Sequence, residues 1–449
     1  MHNFFVETKQ LTRAALPVMV IFLAQKSLQF VDALMLGRMG PEALAAGALG
    51  STIFLIALMF CLGTLSVIGA YISRAFGLNT KREIRKTMQH SFFIVLILSI
   101  PSMVVLWLAP SFLRSLGEDL YVVNAANLFL HGLVWGFPAM LGFLVLREFI
   151  SAFSLSRVIL YITLAAMPLT CLADYLLIYG KLGLPTLGVA GVGYAGALIQ
   201  WFMLGALLIY IYNHSLLKSY LFYFNFRELQ WEKLLEMLRM GMPYGVLLVL
   251  DLGMGSLAML MMGYFGVEAL AAYYIVVQCT TIAFTLPFSF SMAAAQRVGQ
   301  FTEGANFYYI NKITMVSLCI GLAVACLTAG LFLLFPGFLV KIFVGDNTSY
   351  SDALKFAPVF FALAAIFYYF DAVQAILNGV LRGLKDTFLP MVSSIVCYWV
   401  IGIGGAYCFT FYFALNTVGI WYGLILGIAS TAAVLFIILQ MRVMLWQHY

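Results

Sequence analysis

A ten-residue segment of this chain occurs twice. Gly37-Arg38-Met39-Gly40-Pro41-Glu42-Ala43-Leu44-Ala45-Ala46 returns 226 positions later as Gly263-Tyr264-Phe265-Gly266-Val267-Glu268-Ala269-Leu270-Ala271-Ala272, identical at seven of the ten positions. Pro17 and Met35 return at the same shift as Pro243 and Met261. With 64% hydrophobic and 9% charged residues, the composition lies far outside that of soluble domains, so the repeated material is a set of membrane spans. A shift that carries whole spans and returns to the same side of the bilayer implies parallel repeats, two halves related by an axis along the membrane normal. That is an architecture of carriers.

Twelve apolar stretches are each long enough to cross a hydrocarbon core of roughly 30 Å as a helix. They cover residues 12–36, 49–73, 91–113, 122–146, 157–180 and 186–212 in the first half, and 234–262, 268–295, 313–335, 353–381, 387–413 and 417–444 in the second. The expected fold is all-α and integral to the membrane, with twelve transmembrane helices in two pseudo-twofold-related six-helix lobes, 1–213 and 234–449. Residues 214–233 form the cytoplasmic linker between them. This segment is aromatic and of mixed charge, and is expected to lie on the membrane as an interfacial helix. The amino-terminal stretch runs into a full-length span without a small-residue cleavage site, so the first span is expected to be retained.

Of the 24 Lys and Arg residues, eighteen fall on the side that holds both termini and five on the other, Lys26 lying inside a span. Both termini are therefore expected in the cytoplasm. The net charge of +6 is this loop bias counted globally, not a nucleic-acid surface. All seven cysteines lie within apolar spans without metal-ligand spacing and read as small core residues. No Walker motif occurs, which removes ATP as a built-in energy source. The glycine-rich run 180–196 lacks the strand context of a nucleotide loop and reads as close helix packing. His131, the one histidine inside a span, reads as a core or boundary residue.

Charged side chains near span centres cost about 2.5 to 3.5 kcal/mol each on insertion scales and mark pathways or paired sites. Five qualify: Lys26, Asp32, Asp174, Asp251 and Asp371. Asp371 shares a helix face with Gln374 and Asn378 at i+3 and i+7, a polar stripe on an otherwise apolar helix. Asp251 stands eight residues beyond Pro243, and the repeat places it opposite Gln25, so one half carries an acid where the other carries an amide. A buried protonated acid bonded to a neighbouring helix is the alternative reading of Asp251. Asp32 lies in the outer half of span one with Gln25 seven residues back on the same face; its alternative is an ion pair with Arg38, at a poor helical spacing. Asp174, nearer a span end, either extends a first-half cation site with Asp32 or reaches interfacial water. Lys26 stands about 120° around the helix from Asp32, which points to a partner on another helix, with Asp251 as a candidate.

These residues resemble the multidrug and toxic compound extrusion (MATE) transporters, and among them the bacterial NorM-like branch, over essentially the whole chain. The most specific pieces are Ala15-Leu16-Pro17, Phe30-Val31-Asp32-Ala33-Leu34-Met35-Leu36-Gly37-Arg38, Gly241-Met242-Pro243, Gln296-Arg297-Val298-Gly299-Gln300 and Leu381-Arg382-Gly383-Leu384-Lys385-Asp386 downstream of Asp371. The resemblance implies a monomeric carrier of the bacterial cytoplasmic (inner) membrane with a central cavity where its lobes meet. It also implies antiport of cationic, often aromatic drugs or dyes against H+ or Na+, with no further cofactor. Its coupling acids match Asp32, Asp251 and Asp371, and Asp251 with Asp371 would form a Na+ site. Two positions depart from the family: span seven carries Asp251 where Glu is usual, and Lys26 occupies a position usually uncharged.

Two other functions fit a polytopic chain less well. A flippase for lipid-linked saccharides needs several arginines deep in the spans for a diphosphate, whereas here there are four acids and one lysine. An intramembrane transferase would need a His/Asp or Asp-rich cluster at one membrane face, and the sequence has none.

Overall fold

The computed structural model describes residues 2–39, 41–78, 80–115, 120–153, 155–183, 185–220, 230–301, 307–344 and 353–447. Among these the regular structure is entirely helical: α1 His2–Met39, α2 Pro41–Gly77, α3 Lys81–Ser115, α4 Leu120–Val134, α5 Phe137–Ala152, α6 Arg157–Tyr179, α7 Val189–Asn213 and the single turn α8 Ser215–Lys218 in the first half. The second half holds α9 Trp231–Gly263, α10 Val267–Phe301, α11 Phe307–Leu334, the short α12 Pro336–Val344, α13 Ala353–Gly383, α14 Phe388–Ser394, α15 Gly404–Tyr407 and α16 Asn416–Gln447. The stretches Ile395–Ile403 and Cys408–Tyr412, on either side of α15, are π-helical, so 388–412 reads as one span with wide turns.

Among the described residues eleven helices are long and apolar enough to cross a bilayer. A twelfth span is the pair Val123–Val134 and Phe137–Ala152, bent by 48° at its break. The twelve expected spans are thus present, with the fourth broken rather than straight. The cause is local: Pro138 sits in the first turn of α5, where its missing N–H does no harm, whereas in an unbroken helix it would remove the bond to the carbonyl of Val134 and clash with it. The interfacial helix expected over 214–233 falls largely on residues 221–229, outside the described residues. At its ends the structure has α8 and the start of α9.

The chain divides into two compact units, Met1–Met19 with Val246–Tyr449, and Val20–Gly245. The two crossing points are themselves 226 residues apart, each just after a helix-interior proline, Pro17 in α1 and Pro243 in α9.

In the first of these units α13 packs on α10, α11 and α16. Leu11 and Ala15 of α1 join a fully buried core with Ala294, Val298, Leu377, Leu381 and Leu435. Glu7 fixes the start of α1 there, its two carboxylate oxygens each accepting from Arg297 Nη2 at 3.0 Å.

In the second unit α2 packs on α3, α4 and α5, and α7 on α4, α5 and α6. The start of α9 is held here by the ion pair Lys233 to Glu83 and by Tyr71, which donates to Glu236 at 2.8 Å. Close backbone approach is built on glycine: a Cβ on Gly63 would lie 2.5 Å from Gly245 Cα, and one on Gly193 would lie 2.2 Å from Phe129 O. The glycine-rich run before and into α7 therefore serves helix packing, as its composition suggests.

Two sequence expectations need correction. Arg147, counted with the loop-side charges, is 3% exposed within α5 and paired at 3.1 Å with Glu148, equally buried. The helix runs on to Ala152, so both charges are inside the bundle. Of the cysteines, Cys61, Cys279 and Cys397 are buried, but Cys319, Cys326 and Cys408 are exposed. A helix face turned to lipid accepts a small apolar residue as readily as a core does.

Candidate functional site

The intramembrane acids fall into two pairs, one in each unit. In the unit 20–245, Asp32 of α1 and Asp174 of α6 face each other within hydrogen-bonding reach. Asp174 is wholly buried, with neither carboxylate oxygen receiving a donor, while Asp32 is half-buried with Oδ1 likewise unsatisfied. The glycine packing of α7 explains how α6 comes to carry a buried acid: Gly191 lets the backbone of α7 approach Leu177, three residues beyond Asp174. Two carboxyl groups this close are held together only by a proton shared between them or a cation set between them. Asp174 is buried, with Asp32 as its neighbour.

Gln25 is half-buried on α1, and Lys26 is exposed. The Arg38 side chain, the alternative partner for Asp32, lies outside the described side chains.

In the other unit α13 carries Asp371, Gln374 and Asn378 on one face, as their spacing predicts. Two glycines beyond them hold α13 against α10. A Cβ on Gly379 would lie 2.3 Å from Ser291 O, and one on Gly383 would lie 2.7 Å from Ala295 O. Ser291 Oγ donates to Ala375 O at 2.6 Å and Tyr368 Oη to Ala283 O at 2.8 Å, so α13 is tied to α10 within the stripe and just before it. Asp251 of α9 lies near enough to Asp371 for each charge to act on the other. Both acids are half-buried, whereas Gln374 and Asn378 are each 4% exposed.

A residue the sequence reading missed completes this group. Tyr398, in the π-helical segment, is fully buried; its hydroxyl accepts from Gln374 Nε2 and lies near enough to Asp251 and Asp371 for their charges to act on it. Gln374 Oε1 and Asn378 Oδ1 are buried and receive no donor. Two carboxylates, two amide carbonyls and a phenol oxygen are the donor chemistry of a hard cation.

Among the described residues no Lys or Arg forms an ion pair with any of the four acids. Nor do the described residues bring three or more His, Cys, Asp or Glu side chains together as a metal cluster. Among the described residues each site is a carboxylate pair without an ion-paired Lys or Arg.

Tandem-repeated spans with an unneutralised acid pair in each half define a helical multi-pass membrane carrier. The chain belongs to the MATE family: the MatE family model matches residues 17–176 and again 243–408, the two matches beginning at the repeat-related prolines. It is similar to the probable multidrug resistance protein NorM of Synechocystis sp., 33% identical over 429 residues that cover 95% of this chain and 93% of that one. The probable multidrug resistance protein NorM of Pseudomonas putida is 33% identical over 430 residues, covering 96% and 93%. The fold matches the crystal structure of the Vibrio cholerae MATE transporter VcmN in its bent form over 100% of both chains, with a TM-score of 0.87 at 15% identity. The family's members are transporters, so this chain is a transporter and not an enzyme.

Proposed function

We propose that the protein is a secondary active multidrug exporter, moving cationic amphipathic or aromatic compounds out of a bacterial cell in exchange for H+ or Na+ by alternating access. It sits in the cytoplasmic membrane as a monomer with both termini inside. The six-helix lobes 1–213 and 234–449, joined by 214–233, are its functional halves. The observation that carries this reading is the pair of acids in each unit with no fixed counter-charge among the described residues. Burying such a charge without a partner is expensive, so a mobile cation must balance it, and coupling ion and cationic drug compete for that role.

In the outward state the ion neutralises the acids and the drug leaves. In the inward state the ion leaves and the acids recover their hold on the next drug. The cycle requires different ion affinities in the two states, because a ligand bound equally to both shifts nothing. The relatives' names, probable multidrug resistance protein NorM, support drug export, and the acidic sites favour cationic cargo.

The two pairs favour different ions. Asp32 with Asp174 is a carboxyl pair suited to a shared proton, whereas Asp251, Asp371, Gln374 and Asn378 offer the oxygen set that Na+ prefers. A flippase is disfavoured by the same chemistry: two arginines are buried among the described residues, Arg147 is already paired with Glu148, and Arg382 is engaged as well.

The test is efflux of a cationic dye from proteoliposomes under separately imposed proton and Na+ gradients. Wild type should export under at least one gradient, Asp371→Asn should lose most of that flux, and Glu268→Gln, at an exposed acid, should keep it. Absence of flux under both gradients would turn the reading toward lipid-linked cargo.

A further inference from the structure

Tyr398 is a buried phenol that the exchange cycle above does not use. It sits midway along the π-helical segment Ile395–Ile403. π-Helical turns insert an extra residue, re-aim the side chains around them, and concentrate at functional sites. Here the widened turns are accommodated by α16: a Cβ on Gly427 would lie 2.7 Å from Gly402 Cα, and one on Gly423 would lie 2.1 Å from Ala406 N. The span is thus built around an irregular register, and Tyr398 is the residue that register turns toward the acid pair.

A phenol oxygen has one hydrogen and two acceptor sites. The amide N–H of Gln374 occupies one acceptor site of Tyr398. The hydrogen and the second lone pair have the Ser394 hydroxyl as a neighbour, and the charges of Asp251 and Asp371 are close enough to act on them. The same oxygen therefore has two uses: with the pair ionised and empty its O–H donates to a carboxylate, and with a metal cation present its lone pair is a ligand. A proton on the pair needs neither.

We propose that Tyr398 is a specificity-determining residue of the second-repeat acid pair, favouring Na+ over H+ by ligating the metal ion and by stabilising the empty, ionised site. The proposal rests on the reading of Asp251 and Asp371 as ion-binding acids, but not on the identity of the exported compound. Removing the hydroxyl takes a ligand from Na+ and a donor from the empty site, so both losses move the competition toward H+. A merely structural tyrosine would weaken both ions together.

The experiment is calorimetric titration of Na+ into the purified full-length protein, without drug, at several pH values. Tyr398→Phe should weaken Na+ binding roughly tenfold at neutral pH, the worth of one hydrogen bond or ligand to a charged group. It should also lower the proton concentration needed to displace Na+. Tyr407→Phe, on the same span as Tyr398 but 61% exposed, should stay within about twofold of wild type. Gln374→Met, which removes the N–H that orients the phenol, should shift selectivity in the same direction as Tyr398→Phe.

Wild-type Na+ affinity in Tyr398→Phe, equal losses in both tyrosine variants, or a wild type with no Na+ binding removable by Asp371→Asn would each overturn the proposal. Tyr398-dependent Na+ binding in a protein that moves no dye would leave the proposal standing and sink the efflux reading alone. Dye export with an unchanged Na+-to-H+ preference in Tyr398→Phe would do the reverse.

Discussion

Asp174 illustrates what the site costs the protein. Its carboxylate is wholly buried, faces a second carboxylate, and receives no hydrogen-bond donor. Like charges in one apolar site oppose each other, and that repulsion is retained only where function needs it. Asp174→Asn should therefore raise the thermal stability of the ion-free protein by about 1 kcal/mol or more while lowering proton-driven transport. Thermal unfolding in detergent beside proteoliposome flux checks both halves of that statement; a variant that loses stability and keeps transport would assign Asp174 a structural role. The four acids were legible in the sequence because a charge inside an apolar run stands out against its neighbours. Tyr398 was not, since one phenol among 24 tyrosines has no such contrast, and its direction depends on a π-helical register that composition does not encode. Glu148 had a signal, a Glu next to Arg147 in an apolar stretch, but a pair of opposite charges reads equally well as a span boundary.

At the scale of the helices, the position of the second acid pair depends on how closely α13 approaches α10. Gly379 and Gly383 are four residues apart, so they lie on one side of α13, against the backbone of Ser291 and Ala295. Gly379→Val places a branched side chain where a Cβ alone would meet Ser291 O at 2.3 Å. It should destabilise the protein by about 1 to 3 kcal/mol through overpacking and displace Asp371. Gly330→Val, where a Cβ meets nothing within 4 Å, should be near neutral. Equal unfolding temperatures for the two variants would show that α13 has room to move. Hydropathy located the spans well because twenty apolar residues permit little else in a bilayer. It missed the break before Phe137, although Gly136-Phe137-Pro138 lies within the run read as continuous, because a proline is compatible with a transmembrane helix when its neighbours re-satisfy the freed backbone groups.

For the whole molecule, the repeat is the main structural fact, and it extends beyond the matched decapeptide. The family-model matches begin at residues 17 and 243, and the prolines at those positions lie inside α1 and α9, again at the 226-residue shift. The crossing points between the compact units keep it too. Among the described residues the halves have nevertheless diverged in chemistry: the second pair has buried amides and a phenol near it, and in the first the two carboxyl groups face each other. That divergence was partly legible, in Asp251 standing opposite Gln25, but the sequence alone leaves Asp174 either beside Asp32 or in interfacial water, because the spacing of α1 and α6 along the chain does not say how they meet.

The central claim is that coupling ion and drug compete for the same carboxylates. It is tested most directly by measuring the dissociation constant of a cationic dye on purified protein as Na+ and H+ are varied, for wild type and for Asp251→Asn/Asp371→Asn. Competition predicts that dye affinity falls in proportion to ion concentration in wild type, with ion affinity falling reciprocally as dye is added, and that the double variant loses the dependence on Na+. Dye binding that ignores both ions in wild type, or that keeps its full Na+ dependence in the variant, would contradict the account.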